Sequence, residues 1–170
     1  YCSDISYEAI NTAKNNIKYK NIEFKSGSIF EPWEESDLKF DIIISDVSSI
    51  SDPVAKKSPW YEGVVSDCDI DGIKNIKIIM QDLTKYLKKD GYFIIPIISL
   101  CNLEKLESKL KEIFSNIEFS KKNNWPVPDF FKNNIKDFQS LIDSKNVSVE
   151  YKFGSYIAFT CIAVCSNIKK

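Results

Sequence analysis

The chain contains no arginine and no histidine. Its 23 basic residues are all lysines, set against 24 acids, for a formal net charge of −1. Without guanidinium groups it cannot grip phosphate or guanine in bidentate fashion, and a near-neutral charge balance argues against strong nucleic-acid binding. Without imidazole, any general base must be a carboxylate, Tyr, Lys, Cys or a backbone group. Glycine is scarce, with five in 170 residues, and none of them (27, 63, 72, 91 and 154) form a G-x-G pair. Five cysteines, Cys2, Cys68, Cys101, Cys161 and Cys165, are scattered with no C-x-x-C spacing. A zinc site without His would need four of them, and their spacing does not suggest one. No metal is therefore expected, and the thiols are read as reduced and cytoplasmic. No apolar run approaches the roughly 20 residues that span a bilayer, so no membrane partner is expected. The start, Tyr1-Cys2-Ser3-Asp4, lacks both Met and a basic n-region, which suggests a piece of a longer chain rather than a signal peptide.

What is present is ordinary globular composition, 44% hydrophobic and 28% charged. The length suits one domain that buries about two-thirds of its unfolded surface. Residues 1–4 read as the end of a strand. A helix follows over 6–19, with Ser6 as N-cap and Ile10, Ala13 and Ile17 at helical spacing. Short strands are expected at 21–27 and 40–46, separated by a polar loop broken by Pro32, and residues 48–69 are irregular around Pro53, Pro59 and Gly63. An amphipathic helix is expected over 70–91, closed by Lys88, Lys89 and Gly91. A strand at 92–99, a helix over 102–115 capped by Asn102 and a short strand at 117–122 come next. A Pro-led connection then enters a helix over 125–144, and two β-rich runs around Gly154 form a hairpin. The alternation predicts an α/β fold with a mainly parallel sheet flanked by helices and a C-terminal antiparallel hairpin.

Three strand ends carry small polar groups: Asp4, then Gly27-Ser28-Ile29-Phe30, then Asp46-Val47-Ser48-Ser49. In open α/β sheets, ligands bind beyond the carboxyl ends of strands. An acid at such a tip can accept hydrogen bonds from both ribose hydroxyls, and polar groups at the next tip can read an adenine edge.

Residues 1–46, with Asp4-Ile5-Ser6, Ala9-Ile10, Ala13-Lys14-Asn15-Asn16, Gly27-Ser28-Ile29-Phe30-Glu31-Pro32 and the strand Phe40 to Asp46, resemble the class I S-adenosylmethionine-dependent methyltransferases. The pattern looks most like the branch of release-factor glutamine methyltransferases and related small-domain enzymes. The Asp71-Gly72 helix and the strand after it, to about residue 100, extend the likeness. The resemblance implies a Rossmann-like fold and S-adenosylmethionine as cofactor. It implies that residues 1–170 are the C-terminal portion of one methyltransferase domain, with the first strand and the glycine-rich loop upstream.

The resemblance also implies cofactor contacts at Asp4 (ribose), Ile5 (adenine), Ser28, Ile29 and Asp46. Ser28 stands where the family usually keeps an acid that receives the adenine amino group. Substrate contacts fall on Ser48, Ser49, Trp60 and Tyr61. Each position has a plainer alternative. Asp4 could merely cap a helix, Ile5 could pack in the core, and Trp60 and Tyr61 could cover the core's edge. The chain departs from the amide-methylating branch at one decisive place. Asn-Pro-Pro-Tyr is replaced by Asp46-Val47-Ser48-Ser49, which loses the rigid double-proline turn and the stacking Tyr. A carboxylate there suits an amine or hydroxyl that must lose a proton, or the cationic sulfonium and amino group of the cofactor. Asp46 is accordingly read as catalytic, and the acceptor as a small molecule or protein side chain that is not an amide. The alternatives are a non-catalytic relative serving as a binding or assembly module and, ranked last, a nicotinamide-dependent enzyme.

Overall fold

The computed structural model describes residues 1–64 and 66–169. The chain divides into two compact units, Tyr1–Lys39 and Phe40–Lys170.

In the first unit, β1 (Cys2–Asp4) pairs in parallel with β2 (Phe24–Ser26), and α1 (Tyr7–Asn16) makes the connection between them. Parallel neighbours need such a crossover. The helix starts where the sequence signals it, because the Ser6 side chain accepts from the Ala9 amide. Ile10 and Trp33 are buried. Trp33 meets Tyr1 edge to face, with centroids 5.3 Å apart, and the Lys25 ammonium lies 4.5 Å above its ring.

The second unit carries a six-stranded sheet ordered β3-β4-β8-β5, with β6 and β7 also pairing to β8. In chain order, β3 (Phe40–Ile44) leads through α2 (Asp52–Ala55) and a 3₁₀ turn (Pro59–Tyr61) into α3 (Lys74–Tyr86) and β4 (Leu87–Ile98). There follow α4 (Leu103–Ile113), β5 (Phe114–Phe119), β6 (Asn123–Pro126), α5 (Asp129–Asn133), α6 (Ile135–Asp143), β7 (Glu150–Lys152) and the 14-residue β8 (Ser155–Ile168). The β3–β4 pair is parallel, and every pairing with β8 is antiparallel. The α/β architecture and the C-terminal hairpin are as the sequence predicts, but the sheet is mixed where a mainly parallel one is expected, because the long β8 pairs antiparallel with β4, β5, β6 and β7.

Along α3, Ile76, Ile79, Met80, Leu83 and Tyr86 are buried, the spacing of a single helical face. This helix packs on β4 and α4, and α4 packs on β5. Beneath them lie Phe93, Ile95 and Ile97 of β4 and Ala163 and Cys165 of β8. The expected helix over 70–91 is too long. It stops at Tyr86, because buried Leu87 opens the ladder opposite Phe40. The register slips between Phe40 and Ile42, so residues 88–91 form an irregularity within β4. Gly91 is required there, since a Cβ would come 2.9 Å from the Asp41 carbonyl oxygen. In the same way β5 begins earlier than expected, as buried Phe114 stacks in parallel on Phe93 at 6.2 Å.

A second core lies under the loop that follows β3. Ile50, Val54 and Ala55 pack with Leu100, Phe131, Phe138 and neighbouring apolar residues. The segment after residue 120 therefore supplies a platform for that loop.

Candidate functional site

The sequence-predicted residues fall into the two units. In Tyr1–Lys39, Asp4 sits at the tip of β1 and is exposed, with its Oδ1 accepting from the Ser6 amide at 2.7 Å. This is an Asx-type turn leading into α1, whose N-cap is Ser6, and the Asp4 side chain remains exposed. Ile5 is 78% exposed. Beyond β2, Gly27 approaches Pro32 so closely that a Cβ would lie 2.6 Å from the proline Cγ. Ser28 is exposed and its amide donates to Glu31 Oε2 at 3.1 Å. Ile29 has φ of 49°, a strained conformation for a β-branched residue. Glu31 was not singled out from the sequence, although Ser28-x-x-Glu31 has the spacing of a capping box.

In Phe40–Lys170, a cleft of about 390 Å³ opens at the end of β3. Asp46, Ser48, Ser49 and Tyr61 all line it. Sequence reasoning missed Pro96, Ile97 and Ile98 of β4 and Thr160 of β8, which form the rest of the wall with Val47 and Ile50. Those residues carry no local signal, because the sheet pairing β4 to β8 brings them there. Trp60 does not line this cleft. It packs against Trp125 and Phe130, each with ring centroids 5.7 Å away.

The wall is held by an extensive set of hydrogen bonds. Ser48 Oγ and Tyr61 Oη lie 2.6 Å apart, and either can donate. The Ser48 carbonyl accepts from the Cys68 thiol at 3.2 Å and from Asn75 Nδ2 at 3.3 Å. Downstream, the Ser51 amide donates to the Leu100 carbonyl, and the Ser51 hydroxyl donates to the Ile70 carbonyl at 2.6 Å. Asp52 Oδ1 accepts from the Cys68 amide at 2.7 Å. Gly72, at φ of 72°, backs directly onto this loop, so that a Cβ would stand 2.7 Å from the Ser51 nitrogen. Its neighbour Asp71 is nearly buried and is paired with Lys77 at 3.0 Å and Lys105 at 3.1 Å. Burial alone would raise the Asp71 pKa. The Lys77 ammonium, the Ile73 amide and Lys105 outweigh it and hold the carboxyl below its ordinary range.

The Tyr61 phenol is shifted upward mainly by burial, against the lowering effect of the Ser48 hydrogen bond, with smaller upward contributions from Cys68 and then Asp46. It therefore remains a neutral hydroxyl near pH 7. Cys2 is exposed and the other four cysteines are buried. Burial pushes the Cys101 and Cys165 thiols up to about 12, which rules them out as nucleophiles at neutral pH. Among the described residues, no group of three or more His, Cys, Asp or Glu could hold a metal, and no helix is long and apolar enough to cross a membrane.

Comparison with known proteins gives the following matches. The family profile described as a methyltransferase domain matches residues 1–143. A bifunctional methyltransferase of Rickettsia bellii is 31% identical over 102 residues, which covers 56% of this chain and 18% of that protein. Among solved structures, SMU.776, assigned as a methyltransferase and complexed with SAH, is similar at 15% identity with a TM-score of 0.45. That match covers 95% of this chain and 38% of SMU.776. YcgJ of Bacillus subtilis is similar at 13% identity with a TM-score of 0.47, covering 96% of this chain and 81% of YcgJ. The chain thus spans less than a fifth of the curated relative it matches.

Proposed function

The chain belongs to the methyltransferase domain family, and from that membership we propose that it serves S-adenosylmethionine-dependent methyl transfer to an acceptor other than an amide, either a small molecule or a protein side chain. The observation that carries this reading is the cleft at the end of β3. It holds one carboxylate, Asp46, beside the hydroxyls of Ser48, Ser49 and Tyr61. Methyl transfer is an in-line displacement, so alignment of the acceptor supplies much of the rate. A carboxylate beside the acceptor adds proton removal. S-adenosylmethionine is the cofactor that the family implies, and its role is to supply the methyl group.

The residues of the Tyr1–Lys39 unit fit the nucleoside part of that cofactor. Asp4 is an exposed carboxylate at a strand tip, suited to ribose hydroxyls, and the exposed Ile5 side chain beside it in sequence offers an apolar surface for a base. The Gly27-Ser28-Ile29 turn supplies a hydroxyl and backbone groups for the adenine edge. Glu31 keeps a carboxylate within reach of Ser28, where the family usually has an acid.

The test is transfer from methyl-labelled S-adenosylmethionine by the full-length protein bearing this chain, using matched amine, hydroxyl and amide acceptors. Label should enter an amine or hydroxyl acceptor. Label in the amide alone, or in none while cofactor binds, would refute the reading. The second of these results would favour the binding-module alternative.

A further inference from the structure

Within that reading, on which this step rests, we propose that the cleft selects an acceptor amine, entering as an alkylammonium on an uncharged stem, over a carboxylate, a phosphate or a neutral amide. Among the described residues, Asp46 is the only charged group in the lining; the other polar groups are the hydroxyls of Ser48, Ser49, Tyr61 and Thr160. The remainder of the wall, Val47, Ile50, Pro96, Ile97 and Ile98, is apolar and suits a hydrocarbon stem. An anionic acceptor would face the Asp46 carboxylate, and no described lining residue is a cation that could offset the repulsion. Lys56 and Lys57 line a separate depression, which Tyr61 also borders, and the Lys57 ammonium lies 3.9 Å from the Asp137 carboxylate.

The hydrogen-bonding capacity points the same way. A planar amide needs fixed acceptors in its own plane. The Ser48 carbonyl already receives both the Cys68 thiol and Asn75 Nδ2. An ammonium with three freely rotating donors is served by a carboxylate and movable hydroxyls. The Ser48–Tyr61 pair, 2.6 Å apart, supplies such hydroxyls, and burial keeps the phenol neutral by raising its pKa.

The chemistry balances with a sulfonium methyl donor. The ammonium gives one proton to the Asp46 carboxylate or to water. The freed lone pair then forms the N–CH3 bond as the S–CH3 bond breaks, and the bonding pair stays on sulfur as a neutral thioether. The product is a secondary ammonium.

Ligand-observed saturation-transfer NMR on the full-length protein tests this with three four-carbon probes: n-butylammonium, butanamide and butyrate. Butylammonium should bind and the other two should bind at least about tenfold more weakly. Asp46→Asn, an exposed position whose fold is checked by circular dichroism, should weaken butylammonium roughly ten- to hundredfold, and Asp46→Glu should recover part of the loss. Equal binding of butanamide or butyrate would overturn the amine assignment, as would butylammonium binding that ignores Asp46→Asn. Displacement of butylammonium by S-adenosylhomocysteine would also overturn it, because Asp46 would then hold the cofactor's amino group. A separate titration with S-adenosylhomocysteine alone reads the methyltransferase assignment. Failure there with butylammonium still bound would leave the amine site standing and remove methyl transfer.

Discussion

At the scale of single residues, two acids perform opposite tasks. Asp46 is exposed and lines a cleft, whereas Asp71 is nearly buried between two lysines. If Asp46 removes the acceptor's proton, Asp46→Asn keeps shape and most hydrogen bonding but slows single-turnover transfer by roughly 10²–10⁴-fold, with cofactor affinity unchanged. Weakened cofactor binding with an intact chemical step would move Asp46 to the cofactor side. For Asp71 the sign follows from its depressed pKa. The stabilisation is fully present above the ordinary carboxylate range and is lost as pH falls through the lower folded-state value. Asp71→Asn should therefore cost about 1–3 kcal/mol at pH 7. Below about pH 4 its unfolding curve should approach that of the wild type. Urea titrations at a series of pH values give both numbers, and a constant difference across that range would contradict the ion-pair role.

At the scale of elements, the loop after β3 depends on what lies behind it. Gly72→Ala would place a methyl group 2.7 Å from the Ser51 nitrogen at φ of 72°, so a loss of about 1–3 kcal/mol in urea unfolding is expected. The two faces of the sheet should respond unequally. Leu83→Ala empties a fully buried site on α3 and should cost about 2–5 kcal/mol, while Ile44→Lys, at 70% exposure, should change stability by less than about 0.5 kcal/mol. Equal losses would mean that the core has been assigned to the wrong face. These elements also show what the sequence can reveal. The caps at Ser6 and Asn102, the apolar face of α3 and the Gly154 hairpin were legible because each is a local pattern. The strand β6 was not, since Asn123–Pro126 has no strand pattern of its own and pairs only because residues 157–160 of β8 offer a ladder. The end of α3 was misplaced for a similar reason. Lysines and a glycine after Tyr86 look like a helix stop, but the parallel pairing of Leu87 with Phe40 decides it.

At the scale of the whole molecule, candidate site residues that the sequence groups at strand ends are divided between the two units, with Asp4, Ile5, Ser28 and Ile29 in one and Asp46, Ser48, Ser49 and Tyr61 in the other. The cleft at the end of β3 was half legible: its β3 side is contiguous in sequence, and its β4 and β8 side is created by long-range pairing. The family assignment covers residues 1–143, and the chain spans 18% of its Rickettsia relative, so the reaction is best tested on the full-length protein that carries it. The most direct measurement is calorimetric titration of that protein with S-adenosylmethionine, beside its Asp4→Ala variant. Charge-assisted hydrogen bonds to ribose are worth roughly 1.5–3 kcal/mol. Saturable binding should therefore appear in the wild type and weaken by at least about tenfold in the variant. Equal affinity in both proteins would refute Asp4 as the ribose ligand, and no binding to the wild type would contradict the methyltransferase reading at its cofactor.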